Sequence, residues 1–242
     1  MLVSGLGGVG SFWAHQVGEF ARDFRVITHD HRGTGRSSRS MIDYSVDQMA
    51  DDVLRLMDAL KIDVAHYVGH STGGAIGQII AQDRPERLGR LVLSATWAGT
   101  DAYFRRSFEM RKEVLRTGGM LSYWRAAILV QRPPAWICAH EAALREEEAA
   151  IPADAADAEI LQRRIDAIIR FDRRAGLARI KAPTLIAVAR DDMVTPPYLS
   201  EELASKIPGA ELAVLDQGGH FAPRIEPAAF NASVSGFLRK EL

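Results

Sequence analysis

The chain has a single cysteine, Cys138, among its 242 residues. An intramolecular disulfide and a thiolate zinc cluster are both excluded by that count. No apolar run approaches the roughly 18 residues that a membrane-spanning helix needs. The opening Met1-Leu2-Val3-Ser4-Gly5 lacks the basic-then-apolar pattern of a secretory signal, so a cytoplasmic protein is expected. Neither sign of charge dominates either. Thirty basic residues oppose 31 acidic ones, for a net charge of −1. No global field therefore draws nucleic acid or an anionic membrane to this chain.

What is present is ordinary for a folded enzyme-sized domain: 47% hydrophobic and 25% charged residues, enough to bury one large core. Short β-rich runs alternate with helical patterns, which marks an α/β fold with a mostly parallel sheet flanked by helices. The runs are Leu2–Ser4, Phe24–Asp30, Val64–Gly69, Arg90–Ala95, Thr184–Ala189 and Glu211–Leu215. Ser45-Val46-Asp47-Gln48 reads as a capping box. The helix it opens carries Met49, Val53, Leu56, Met57 and Leu60 at helical spacing. A second helix starts directly after Ser71 and ends before Pro85.

The alternation stops in the middle of the chain. Residues 98–177 are rich in Ala, Arg and Glu, contain Pro133-Pro134 and the Ala/Asp-rich stretch Ala149–Glu159, and read as several helices. The expected organisation is a core of residues 1–97 and 178–242, with residues 98–177 inserted between two strands as a helical lid. The first strand has only about three residues, and nothing precedes it. A leading hairpin of roughly 15–20 residues is expected to be missing, which would leave Phe24–Asp30 at an exposed sheet edge.

Gly69-His70-Ser71-Thr72-Gly73 lies between an apolar run and a helix, the setting of a nucleophile elbow. A serine on so sharp a turn needs glycines beside it, because the backbones approach closely. The helix behind it supplies free N–H groups and a positive dipole end. A hydroxyl is a weak nucleophile without a base, and the base needs an orienting carboxylate. Of seven histidines, His220 is the candidate base, because Gln217-Gly218-Gly219-His220 is a glycine-rich loop after the last strand. His15, His29, His31, His66 and His140 fall within elements or in the lid and read as structural. His70, beside Ser71, is expected to point elsewhere. Asp191 and Asp192 both follow the strand Thr184–Ala189, and either could orient the base; Asp216 is the fallback. The chain order Ser, Asp, His fits this arrangement.

Negative charge developing on a substrate carbonyl needs preorganised donors. The backbone of Thr72 is one candidate. Leu6, in Gly5-Leu6-Gly7-Gly8, is the other. These glycines do not form a dinucleotide loop, since their spacing misses Gly-x-Gly-x-x-Gly from either starting point. For substrate contact, Arg105, Arg106 and Trp97 are candidates, with Arg125 and Arg132 as further lid arginines, because guanidinium groups clamp carboxylates. Trp124 and Trp136 read as lid core. The expected partner is a small acyl substrate and, beyond that, a second copy of the chain in a homodimer. No cofactor or metal is expected.

Taken together, Ser4–Gly8, Asp30–Ser37, Gly69–Gly74, Asp191–Pro196 and Gly219-His220 resemble the α/β-hydrolase superfamily from end to end. That resemblance implies Asp192, not Asp191, as the acid of a Ser71–Asp192–His220 triad, and it implies the leading hairpin. The family's usual His-Gly before the oxyanion residue is Ser4-Gly5 here. Ser4–Trp13, Asp30–Gly35 and Phe104–Phe108 look similar to RutD pyrimidine-utilisation hydrolases. With Glu226–Asn231 they also resemble 3-oxoadipate enol-lactonases. Those relatives imply a serine hydrolase acting through an acyl-enzyme on a small ester, enol-lactone, carbamate or amide. The same triad also serves cofactor-free lyases, perhydrolases and acyltransferases, and the fold has non-catalytic ligand-binding members.

Overall fold

Five strands, β1 (Leu2–Val3), β2 (Ala65–His70), β3 (Leu88–Ser94), β4 (Thr184–Ala189) and β5 (Glu211–Leu215), pair in parallel and in chain order. The computed structural model describes residues 1–151 and 155–240. Alternation along the strands sends neighbouring side chains to opposite faces of the sheet. Tyr67, Leu91, Leu93 and Ile186 join one core, and Val68, Val92, Leu185 and Ala187 the other. Strands buried on both faces are what a sheet with helices on both sides requires.

The first core lies under α2 (Val46–Ala59), α3 (Thr72–Asp83) and α8 (Pro197–Lys206). The second is covered by α1 (Ala14–Phe20) and the last helix, Pro227–Leu238. Handedness explains this division. From β1 the chain passes through α1 to Thr28, which bridges Leu2 on one side, and then returns through α2 to β2 on the other. Right-handed crossovers in opposite directions put their helices on opposite faces. The strand order therefore reverses at β1, and the crevice beyond the ends of β1 and β2 is where ligands bind in open α/β sheets.

Of two local readings, the capping box is met in part and the helix after Ser71 in full. Ser45 caps α2 by accepting from Gln48 N at 3.0 Å, although the Gln48 side chain turns to Asp52 instead of closing the capping box. α3 runs from Thr72 to Asp83 and stops before Pro85. The expected strand Phe24–Asp30 is a correction. Of sheet pairing, only the Leu2–Thr28 bridge and a 2.9 Å bond from Leu2 N to Ile27 O form there among the described residues. The neighbouring β1 is two residues long and offers no longer ladder to pair with.

Between β3 and β4 lie α4 (Ala102–Gln131), α5 (Pro134–Ala139), α6 (Glu141–Ala149) and α7 (Ala155–Arg170). Part of the Ala/Asp-rich stretch, residues 152–154, lies outside the described residues. Asp101 caps α4 by accepting from Phe104 N at 2.8 Å. The helix is broken at Gly119, whose φ of 72° belongs to the left-handed region. Its second half thereby turns Tyr123, Trp124 and Ala127 toward the ends of β1 and β2. The two stems of the insertion are tied together, with Arg173 N on Ala98 O at 2.8 Å and Thr100 N on Phe171 O at 3.2 Å. Among the described residues no helix is long and apolar enough to cross a membrane.

Candidate active site

Ser71 stands between β2 and α3 with φ 54° and ψ −117°, a conformation that non-glycine residues rarely adopt and that costs about 1–3 kcal/mol. The surroundings hold it there. Ser71 N donates to Ser94 O at 2.8 Å, and Ser71 O accepts from Thr96 Oγ1 and Gly74 N, both at 2.8 Å. Its flanking glycines are sterically required. A Cβ on Gly73 would lie 2.1 Å from Val3 O, and one on Gly69 would lie 2.3 Å from Gly73 O.

The structure joins Asp192 to His220. Asp192 Oδ2 lies 2.9 Å from His220 Nδ1, and both side chains are buried. The carboxylate is saturated: Oδ1 accepts from Val194 N (2.8 Å) and Thr195 N (2.9 Å), and Oδ2 also accepts from Thr195 Oγ1 (2.9 Å). With Nδ1 committed to Asp192, Nε2 is the ring atom left for chemistry. His220 and Ser71 line the same cavity of about 610 Å³, where Ser71 Oγ makes no hydrogen bond among the described residues. Asp216, the fallback, is exposed and 4.0 Å from Arg190.

Two further residues complete this corner: Thr195, missed in the sequence, and Asp191, weighed there only as an alternative acid. Thr195 braces the carboxylate and reaches His220 Nδ1 at 3.2 Å. Asp191 holds the histidine loop from behind, accepting from Gly219 N at 2.8 Å. The Asp-Asp doublet was the available signal, since each member has its own task.

The glycine loop after β1 is a turn closed by Gly8 N on Gly5 O at 2.9 Å. It abuts the serine, because a Cβ on Gly5 would lie 3.1 Å from Ser71 Cβ. Neither Leu6 N nor Thr72 N has an acceptor among the described residues, and Leu6 lines the cavity. Both expected donors are thus beside the serine.

His70 also belongs to the cavity wall, against the expectation that it points away. Its ring stacks on Phe12 at 4.7 Å and lies 4.8 Å from that of His220, while Nδ1 is 3.2 Å from Ser94 Oγ. Burial, with the nearby His220, holds its pKa well below the usual histidine value; burial and Arg164 do the same to His31. Both are therefore neutral in the fold and gain a proton only on unfolding. Below the ordinary value of 6.5 the unfolded chain binds more protons than the folded one, so stability declines as pH falls through that point. The urea midpoint is expected to drop between pH 7 and pH 5, each histidine contributing up to about 1.4 kcal/mol per pH unit. Titration of His70→Asn should show a shallower decline than wild type, and equal slopes would contradict the assignment.

The candidate substrate contacts are placed elsewhere than expected. Arg105 and Arg106 are exposed, and Trp97 is buried against Phe104, 4.4 Å between rings. None of the three lines the cavity. Arg125 pairs with Glu148 on the surface at 2.6 Å. The arginines that do line it are Arg111, Arg132 and the exposed Arg224, with Glu147 as an acidic counterpart. Arg132 pairs with Glu147 at 2.9 Å and lies over Trp136 at 4.9 Å. Burial lowers its pKa. Arg111 is 2% exposed, stacks on Phe108 at 4.6 Å and donates to Tyr123 Oη at 2.7 Å, with no carboxylate partner among the described residues.

The sequence profile of the α/β-hydrolase fold matches residues 1–226, and the chain belongs to that family. A relative from Azorhizobium caulinodans, named “Putative carbamate hydrolase RutD”, is 41% identical over 237 residues, covering 98% of this chain and 89% of that one. The solved enol-lactonase of Burkholderia xenovorans LB400 superposes with a TM-score of 0.90 at 30% identity, covering 99% of this chain and 90% of that one. Est816, described as an N-acyl homoserine lactone degrading enzyme, gives 0.82 at 27% identity, with 98% and 91% covered.

Proposed function

We propose that this chain is a serine hydrolase that cleaves a small carboxylate-bearing ester, lactone or carbamate-type compound through an acyl-enzyme. The observation that carries the reading is the Asp192–His220 bond, made by a ring that shares its cavity with the strained Ser71. His220 Nε2 takes the Ser71 proton as Oγ attacks the carbonyl carbon. The oxyanion forms against the Leu6 and Thr72 N–H groups. The leaving group departs with the proton from Nε2. Water, deprotonated by the same nitrogen, then frees the acyl group and restores Ser71. Residues 98–177 act as the lid, and their Arg111 and Arg132 supply the positive wall.

The carboxylate follows from Arg111. A buried guanidinium without an anion is unfavourable, and a substrate carboxylate would supply the missing charge. The names of the relatives are consistent with this, since carbamate and lactone cleavage are both acyl transfer to water.

The test is fluorophosphonate labelling with peptide mapping, then turnover of paired substrates: a small lactone bearing a free carboxylate and its methyl ester. The label is expected on Ser71, with the acid form preferred. Arg111→Met should lower kcat/KM for the acid about 10- to 100-fold, as for a hydrogen bond to a charged group, and leave the methyl ester nearly unchanged. Equal losses on both substrates would defeat the carboxylate assignment, and a label elsewhere would defeat the nucleophile.

A further inference from the structure

Arg164, on α7 of the inserted helices, is 1% exposed and has no carboxylate partner among the described residues. Its donors go to neutral acceptors in the loops around the site. Nη2 and Nε both donate to Leu6 O, at 3.0 and 3.2 Å. Nη1 donates to Arg32 O at 3.0 Å, and Nη2 lies 3.1 Å from His31 Nδ1. Burial lowers its pKa to about 10, so it is a cation at neutral pH.

We propose that Arg164 is a positioning residue for the oxyanion donor, fixing the Leu6 carbonyl so that the Leu6 N–H faces the carbonyl attacked by Ser71. The inference rests on the hydrolase reading above. Two peptide planes meet at the Leu6 Cα, and each has its own restraint. The Gly5–Leu6 plane, which carries the Leu6 N–H, is held by the turn bond from Gly8 N to Gly5 O at 2.9 Å. The Leu6–Gly7 plane is held by the fork of Arg164. Gly7 is exposed, and a Cβ on it would meet nothing within 4 Å, so packing does not replace that restraint. Free to rotate, the Leu6–Gly7 plane would release the turn and the N–H with it.

The charge also has a reason. A neutral side chain could fill the volume, but a guanidinium can bind one carbonyl through two nitrogens and still reach Arg32 O with the third. Burying such a charge without an anion costs stability, which a purely structural brace would avoid. Arg164 further makes the inserted helices part of the catalytic geometry as well as its cover. Leu6 and Arg164 are 158 positions apart in the chain, so the loop is correctly set only when α7 is seated.

The experiment compares wild type, Arg164→Met and Arg164→Lys, using 4-nitrophenyl acetate as substrate and phenylboronic acid as a tetrahedral-adduct analogue. A positioning role predicts a 10- to 100-fold lower kcat for Arg164→Met, KM within about threefold, and boronate affinity weakened by a factor similar to that in kcat. Lysine, which keeps one charged donor for Leu6 O, should recover part of both losses. A folded Arg164→Met with wild-type kcat and boronate affinity, and only a lower Tm, would overturn the proposal. Should Arg164→Met not fold, Arg164→Lys decides alone: kcat and boronate affinity must fall together, and unchanged values overturn it. Fluorophosphonate labelling of wild type, absent in Ser71→Ala, separates the two levels. An unlabelled wild type defeats the hydrolase reading and this one with it. A labelled, active wild type with equally active Arg164 variants defeats this one alone.

Discussion

Replacing Ser71 with alanine is expected to lower kcat by about 10⁶-fold while leaving the folded state intact. The separation follows from which atoms of Ser71 do what. Its backbone N and O make the bonds that hold the elbow, to Ser94, Thr96 and Gly74, and alanine keeps all of them. Its φ of 54° is no harder for alanine than for serine. The atom removed, Oγ, makes no hydrogen bond among the described residues, so its loss leaves no partner unsatisfied. The effect on stability should lie within about 0.5 kcal/mol. Residual turnover then measures what the proposed donors at Leu6 and Thr72 achieve with water as the nucleophile. Thermal melts and steady-state rates on the same preparations check both halves. A variant that melts like wild type and retains more than a tenth of its rate would place the nucleophile elsewhere.

The parts of this site that could be read in the sequence are those set by local chemistry. The elbow glycines are demanded by contacts within a few residues, and Ser71, Asp192 and His220 each follow a strand whose apolar pattern is plain. Ser45 could be recognised as a cap for the same reason. What could not be read depends on how separate elements meet. Phe24–Asp30 has strand composition, yet its pairing depends on the length of β1. Arg164 looks like any arginine on a helix until α7 is laid against the Leu6 loop. Arg111 is an intermediate case. Phe104 and Phe108 are buried four residues apart, and helical phase carries that face on to Arg111 and Leu115, not to Arg105 or Arg106. The phase then resets at Gly119, whose positive φ gives no sign in a periodicity, so the cavity-lining positions beyond it were not accessible by counting.

Asp192→Asn is expected to cost about 10⁴-fold in kcat with little change in KM, because of how the amide is forced to sit. In the wild type both oxygens only accept. Oδ1 receives the N–H groups of Val194 and Thr195, and Oδ2 receives the Thr195 hydroxyl and His220 Nδ1. An asparagine must give one of these places to an NH₂ group. At the Oδ1 place that group would face two backbone donors, so it goes to the Oδ2 place. There it donates to His220 Nδ1, which must then be the unprotonated nitrogen. The proton moves to Nε2, the atom that accepts from Ser71 in the proposed mechanism. The ring stays where it was, but in the tautomer that cannot act as a base, and it also loses the negative charge that stabilises its protonated form. Asp191→Asn is the matched control. Its oxygen can still accept from Gly219 N, at 2.8 Å in the wild type, and it touches no ring nitrogen, so a loss of less than tenfold is expected. Rates of the two variants on one substrate, with melts to show that both fold, decide the matter. Comparable losses would mean that the carboxylates only hold the loops in place, whereas a gap of about three orders of magnitude assigns the orienting role to Asp192.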